Sequence, residues 1–436
     1  MPAPRPPTRW VRRQSGARNI AARLRSGISG NDVAVISAAT FVALRVPNYR
    51  RYFVGQTISL VGTWMQSVAQ AWLVLELASS PTALGLLVAS QTLPVLLLGP
   101  YGGLIADRAD KRRLMMALQT VMGVLAVTLG VLTVTGVVRL WEVFIIAVLL
   151  GTTNAFESPA RQSFVLEMVG RNELPNAITL NSVLTNGARA IGPAVAGVLI
   201  ALVGTGICFL LNAASFVAVI YCLASMNVDA LRPAEPAPRT RGQLREGFRY
   251  VARTPRLLIP LIMIAIVGAL AYEFQVSLPV MAREAFRGDS TTFGYMTSAM
   301  GLGAVVGGLL VAGRGRTGLR ALTINSALFG LAILAAALAP NLVFEIAMLA
   351  MVGATSIGFM ATGNSTLQLN SDPNMRGRVM ALWAVAFLGS TPIGGPIIGL
   401  VSEIGDGRWG LAIGGLAALA AAATGWFGKR RVCNAR

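Results

Sequence analysis

No histidine occurs anywhere in the 436 residues, which removes the commonest general base and the commonest metal ligand together. Cysteine is nearly as scarce: Cys208, Cys222 and Cys433 share no C-x-x-C spacing, and the first two fall in an apolar segment. A thiol in such a setting acts as a small hydrophobe more often than as a ligand or half of a disulfide. No paired carboxylates, G-x-S-x-G, H-E-x-x-H or G-x-x-x-x-G-K-[ST] pattern is present. Hydrolase, metalloenzyme and ATPase chemistry therefore lack their usual residues, and no cofactor is expected. Charge of either sign makes up only 13% of the chain, against roughly 25% in an ordinary soluble domain.

What is present is apolar: 54% of residues are hydrophobic and the mean hydropathy is +0.64. A bilayer core about 30 Å thick needs about 20 apolar residues per helix. Twelve runs of that kind occur, approximately 53–76, 82–106, 114–136, 141–160, 176–203, 206–226, 257–281, 292–313, 320–339, 342–366, 378–402 and 408–428. The composition thus implies an all-α polytopic membrane protein with twelve transmembrane helices.

The net charge of +19 does not point to nucleic acid, because its basic residues are confined to short gaps between apolar runs instead of gathering beside stacking aromatics. Their placement orients the chain. With a cytoplasmic N-terminus, 32 of the 37 basic residues fall inside, Arg139, Arg283, Arg287 and Arg408 fall outside, and Arg189 lies within a span. The positive-inside rule then places both termini in the cytoplasm and the chain in the cell (inner) membrane. The expected organisation is a basic tail over 1–40, disordered or lying on anionic lipid; a six-helix unit over 41–226; a cytoplasmic linker over 227–256; a second six-helix unit over 257–428; and a basic tail over 429–436. Without an apolar h-region after Arg12-Arg13, the first helix is expected to serve as the insertion signal. Within the linker, "GQLREGFRYVARTP" sets Leu244, Phe248 and Val251 on one side, consistent with a helix along the membrane surface or with a solvated connector.

The two units echo one another. "GLLVASQTLPVLLLGPYGGLIADR" after Gly85 aligns with "GYMTSAMGLGAVVGGLLVAGR" from Gly294, and "IGPAVAGVL" from Ile191 with "IGGPIIGLV" from Ile393. Internal repeats of this kind are common in secondary transporters.

Specific motifs accompany the repeats. "GGLIADRADKRR" resembles the loop between helices 2 and 3 of the major facilitator superfamily, with Gly103, Asp107, Arg108, Lys111 and Arg112 at the matching positions and Asp110 in place of the usual second glycine. That departure, together with "YRRYFVGQTISLVGTWMQSVAQAWLVLEL", "NAFESPARQSF", "LPVMAREAF" and "MRGRVMAL", resembles the enterobactin-exporter and macrolide-efflux branch. The resemblance implies two pseudo-symmetric six-helix bundles around a central cavity. It also implies efflux of a small organic molecule by alternating access, with protons as the coupling ion and a monomer as the working unit. Import by the same fold remains an open alternative.

Residue roles follow from chemistry and resemblance together. Gly99, Gly102 and Gly103 are expected to let helix 2 approach a neighbour. Asp107, at the end of helix 2, could face the positive N-terminus of a helix from the other half, and the resemblance implies that this is helix 11 in one state of the cycle. Arg189, Gly192, Pro193 and Gly197 in "ARAIGPAVAG" resemble the helix 5 antiporter signature, and Pro193 and Pro396 are expected to bend their helices. Glu157 and Arg161, with Arg376 and Arg378, are candidates for a cytoplasmic gate.

Arg189 lies about thirteen residues from either end of its span, where a charge costs about 2.5 to 3.5 kcal/mol on insertion scales. It needs a polar partner. Glu273 lies too deep in helix 7 to snorkel, roughly 12 Å from the outer end, and a carboxyl there is a candidate proton carrier. Ser59, Thr63, Gln66 and Gln70 recur at spacings that form one polar stripe on helix 1, a natural cavity wall. Trp64 and Trp72 fit either membrane-interface anchoring or stacking on an aromatic substrate.

Overall fold

The computed structural model describes residues 41–232, 243–314, 317–372 and 374–434. The expected N-terminal tail and much of the linker lie outside the described residues. Among the described residues, twelve helices are long and apolar enough to cross a membrane: α1 (Pro47–Ala78), α2 (Pro81–Arg108), α3 (Lys111–Val134), α4 (Leu140–Gly170), α5 (Asn172–Val203), α6 (Thr205–Ala224), α7 (Pro255–Ala285), α8 (Ser290–Val311), α9 (Leu319–Ala337), α10 (Leu342–Asn370), α11 (Arg376–Ile404) and α12 (Gly407–Gly428). Every expected span is present. Large apolar side chains such as Val217, Leu309, Leu331 and Val343 are exposed on these helices, which in a bilayer is the face that meets lipid.

Local chemistry sets the helix ends. Pro47 opens α1 at a position where its missing N–H costs nothing. Ser80 caps α2 by accepting from Ala83 N, and Asp110 caps α3 by accepting from Arg113 N at 3.0 Å. The residue that departs from the superfamily loop pattern therefore has a local role. Gly170, at φ 74°, separates α4 from α5 in a conformation that a residue with a Cβ rarely adopts.

Small residues set the packing. Within the first half, Gly102 of α2 lies against the Ala155 carbonyl of α4, and Gly151 of α4 against the Gln91 carbonyl of α2. Within the second half, Gly303 of α8 and Gly353 of α10 meet Ala350 and Met300 in the same way. The halves join along two seams: Gly85 of α2 touches Gly395 and Pro396 of α11, and Gly294 of α8 touches Pro193 and Gly197 of α5. These are the segments that echo one another in the sequence, so the repeats meet as a pseudo-symmetric pair. At each of these glycines a Cβ would overlap the neighbouring backbone.

Two helices depart from regular geometry. α7 is interrupted between Leu270 and Phe274 and ends in a π turn over Met281–Ala285. α11 is interrupted at Gly389 and Ser390, and not at Pro396. α5 keeps helical dihedrals through Pro193. Both prolines lie in close seams between the halves, Pro193 against Gly294 and Pro396 against Gly85.

A short linker helix, Gln243–Arg253, docks on the second half. Val251 is buried and Gly247 lies against Arg378, while Tyr250 donates to Asp372 at 3.1 Å. Phe248, expected on the same face as Val251, is 63% exposed; the docked face runs through Gly247, Tyr250 and Val251 instead.

Candidate functional site

A cavity of about 350 Å³ is lined by α1 to α6 together with Gln275 of α7. The polar stripe of α1 forms one wall: Ser59, Thr63, Gln66 and Gln70 all line it. Cross-helix hydrogen bonds hold the stripe in register. Asn212 of α6 donates to Gln66 at 2.6 Å, and Gln91 of α2 donates to Gln70 at 3.0 Å. Gln275 of α7 reaches across from the second half and donates to Ser67 at 3.2 Å. Atoms of Gln56, Gln70 and Gln119 remain buried in this wall without a protein partner, leaving donors and acceptors for water or a solute.

Charge in the cavity wall is limited to Glu157 and Arg161, one turn apart on α4 and paired at 3.1 Å. Trp64 also lines the cavity. Above its ring, at 5.0 Å from the centroid, stands the Arg189 guanidinium of α5. Trp72 is buried and stacks on Phe293 of α8 across the boundary between halves, with centroids 6.4 Å apart. It serves neither as a lipid-interface anchor nor as part of the cavity wall.

The end of the bundle away from the linker, here the distal end, is sealed. Thr82 N and the Ser80 hydroxyl donate to Glu403 of α11, and Arg283 of α7 donates to the Leu75 carbonyl of α1 at 2.6 Å. Ser290 and Thr291 of α8 donate to the Gly197 carbonyl of α5. Toward the linker end α2 and α11 part: Gly99 faces open space and Arg108 is exposed. The close approach expected of Gly99 is therefore made by Gly102 alone among the residues whose surroundings are known.

The remaining candidates have distinct surroundings. Asp107 and Gly103 are half-buried at the end of α2. Lys111 forms a 2.6 Å ion pair with Glu167 of α4, both side chains 7% exposed, and Arg112 donates to the Leu223 and Ala224 carbonyls at the end of α6. These two basic residues tie α3 to its own half. Arg376 donates to the Gln368 carbonyl, and Arg378 pairs with Glu246 of the linker helix at 3.0 Å. The four expected gate residues therefore form two separate groups, Glu157–Arg161 in one half and Arg376 with Arg378 in the other.

Glu273 is 4% exposed and sits at the break in α7. Its carboxyl lies against Gly394 and Gly395 of α11, beside Thr391, and one oxygen has no hydrogen-bond partner. It stands at the α7–α11 contact, apart from the cavity wall formed by Thr63, Gln66 and Gln70. Sequence reading missed Gln91, Gln119, Asn212 and Gln275, single amides in apolar helices without the periodic pattern that marks α1. It also missed Glu345, fully buried near the distal end of α10 with no partner on either oxygen.

Among the described residues, twelve membrane-length helices in two pseudo-symmetric halves that meet at the distal end, with a polar cavity among them, have the architecture of a major facilitator transporter. The chain belongs to the transmembrane secretion effector family of that superfamily, which matches residues 38–436. It is 25% identical over 361 residues to the staphyloferrin A transporter of Staphylococcus aureus, covering 81% of this chain and 89% of that one. Macrolide efflux protein A of Streptococcus pyogenes is 23% identical over 376 residues, 83% and 91% of the two chains. Enterobactin exporter EntS of Shigella boydii is 25% identical over 359 residues, 81% and 85%. Among solved structures, an inward-facing bacterial homolog of the human lysosomal transporter Spinster superposes with a TM-score of 0.72 over 90% of this chain and 98% of its own at 14% identity, which shows the shared fold.

Proposed function

We propose that the chain exports a small organic molecule across the cell membrane by alternating access, in exchange for protons and as a monomer. The observation that carries this reading is the polar cavity beside halves that are joined at the distal end, while Gly99 of α2 faces open space toward the linker end. The basic residues crowd the linker end, so the positive-inside rule turns that end, with both termini, to the cytoplasm. In this state the cavity is loaded from inside, and opening of the distal seam would release its content outward. The efflux proteins among the relatives support that direction.

Glu273 is the residue proposed to carry the proton. A carboxyl packed at the α7 break against the glycines of α11 stands where a change of charge alters the contact between those two helices. The test is uptake into inverted vesicles with an imposed proton gradient, comparing wild type with Glu273→Gln. Gradient-driven uptake that the substitution abolishes is the expected result. Uptake insensitive both to the substitution and to collapse of the gradient would refute the coupling.

A further inference from the structure

The central cation of the fold has no anion of its own. Arg189 sits near the middle of α5, its Nε is buried without a hydrogen-bond partner, and no described carboxylate pairs with it. Its guanidinium lies over the Trp64 ring and within electrostatic reach of the neutral Tyr272 phenol of α7. Other cationic groups singled out above have partners. Lys111 has Glu167, Arg161 has Glu157 and Arg378 has Glu246. Arg283 and Arg408 cap helix ends, donating to Leu75 and to Ala339.

The place of Arg189 gives this deficit a direction. Thr185, one turn earlier on the same face of α5, lines the cavity, and so does Trp64 beneath the guanidinium. Ala190, the next residue, meets Gly301 of α8, where the distal seal between the halves begins. Arg189 therefore stands directly behind the cavity wall at mid-membrane depth, between Thr185 and Trp64, which line it. A guanidinium held against an aromatic face keeps its fork of N–H donors for a planar oxyanion, which it can bind through two parallel hydrogen bonds. The other charges of the wall cancel as the Glu157–Arg161 pair, and the amides of Gln56, Gln70 and Gln119 are neutral. The uncompensated charge beside the cavity is therefore that of Arg189.

We propose that Arg189, stacked on Trp64, is an anion-recognition subsite, and that the transported molecule is an organic anion whose carboxylate or comparable oxyanion docks there while the amide wall of α1 takes its remaining polar groups. The proposal rests on the efflux reading and adds the charge of the cargo to it. A cationic solute would be repelled by Arg189 and would find no carboxylate in the wall other than Glu157, which is paired with Arg161.

Two dyes with the same xanthene framework and opposite charge separate the possibilities: carboxyfluorescein, an anion, and tetramethylrhodamine methyl ester, a cation. Their uptake is followed in inverted vesicles containing the full chain. Wild type is expected to take up the anion in preference to the cation. Arg189→Gln is expected to lose that preference by at least about tenfold, while Arg189→Lys, which keeps the charge but not the fork, retains part of it. Because Gln is easier than Arg to place in a bilayer, a folded Arg189→Gln protein is expected, and size-exclusion chromatography of the purified variant checks it. Preference of wild type for the cation, or an Arg189→Gln variant with unchanged dye preference, overturns the subsite and leaves efflux standing. Absence of gradient-dependent uptake of either dye by wild type overturns both readings.

Discussion

The carboxylate of Glu403, in the last turn of α11, accepts a hydrogen bond from the backbone N–H of Thr82 at 3.0 Å and another from the Ser80 hydroxyl at 2.9 Å. An acidic group of one half thus caps the N-terminus of α2 in the other. Arg283 completes the clamp by donating to the Leu75 carbonyl at the C-terminal end of α1. Each charge has the sign that the helix macrodipole favours at that end. The arrangement is the inverse of the one expected of Asp107, which stands at the end of α2 and is suited to the N-terminus of α11. Two carboxylates at opposite ends of the same helix pair would then stabilise opposite states of the transporter.

Glu403→Ala, combined with Arg283→Ala, should therefore loosen the distal seal. With spin labels at exposed Val137 and Leu338, in a background lacking the native cysteines, the distance distribution should gain a longer component. An unchanged distribution would show that the glycine seams alone hold the seal.

Those seams make a second prediction. A side chain at Gly85 would run into the backbone of Gly395 and Pro396, so Gly85→Leu should prevent distal closure while leaving each half folded. Expression and monodispersity should survive, and transport should fall to background. The same change at Gly99, which faces open space in this state, should leave the distal distances unaltered.

Lys111 and Glu167 form a buried pair. Removing one partner strands a charge, at a cost of about 3–5 kcal/mol, whereas replacing both with apolar residues is often tolerated. Lys111→Met should lower the melting temperature of the purified protein markedly, and Lys111→Met with Glu167→Leu should restore much of it. Arg108→Gln, at an exposed position, should have little effect on stability.

Asp289 lies just outside α8 and accepts from the Thr292 N–H at 3.0 Å, which holds its carboxyl below the usual carboxylate range. A lowered value in the folded state means that the bond contributes stability above about pH 4 and loses it as the pH falls through the folded value. Thermal stability of wild type should decline on acidification more than that of Asp289→Asn, by a small margin because the site is exposed. Equal slopes for the two proteins would exclude the linkage.

The twelve spans, the polar stripe of α1 and the echo between the halves could all be read without coordinates. A bilayer demands a long apolar run for each crossing, and helical periodicity puts every third or fourth residue on one face. Those requirements belong to single segments, so hydropathy and spacing reveal them. The echo went further than its own statement: the segments that resemble each other, around Gly85 and Gly294, and around Pro193 and Pro396, proved to be the seams where the halves touch.

Partnership was not legible in this way. That Lys111 meets Glu167, that Glu403 caps α2, that Glu273 packs on the glycines of α11 instead of facing the cavity, and that Arg189 has an aromatic ring but no acid all depend on the rotation of each helix about its axis and on which neighbour it crosses. Apolar periodicity constrains such rotations weakly in a membrane, where lipid is as apolar as a packed helix. The sequence by itself determined the number and order of the helices, because the cost of exposing polar groups to hydrocarbon acts on each segment alone. Only the tertiary structure decided which charges are satisfied and which end is closed, because those outcomes arise from contacts between residues hundreds of positions apart.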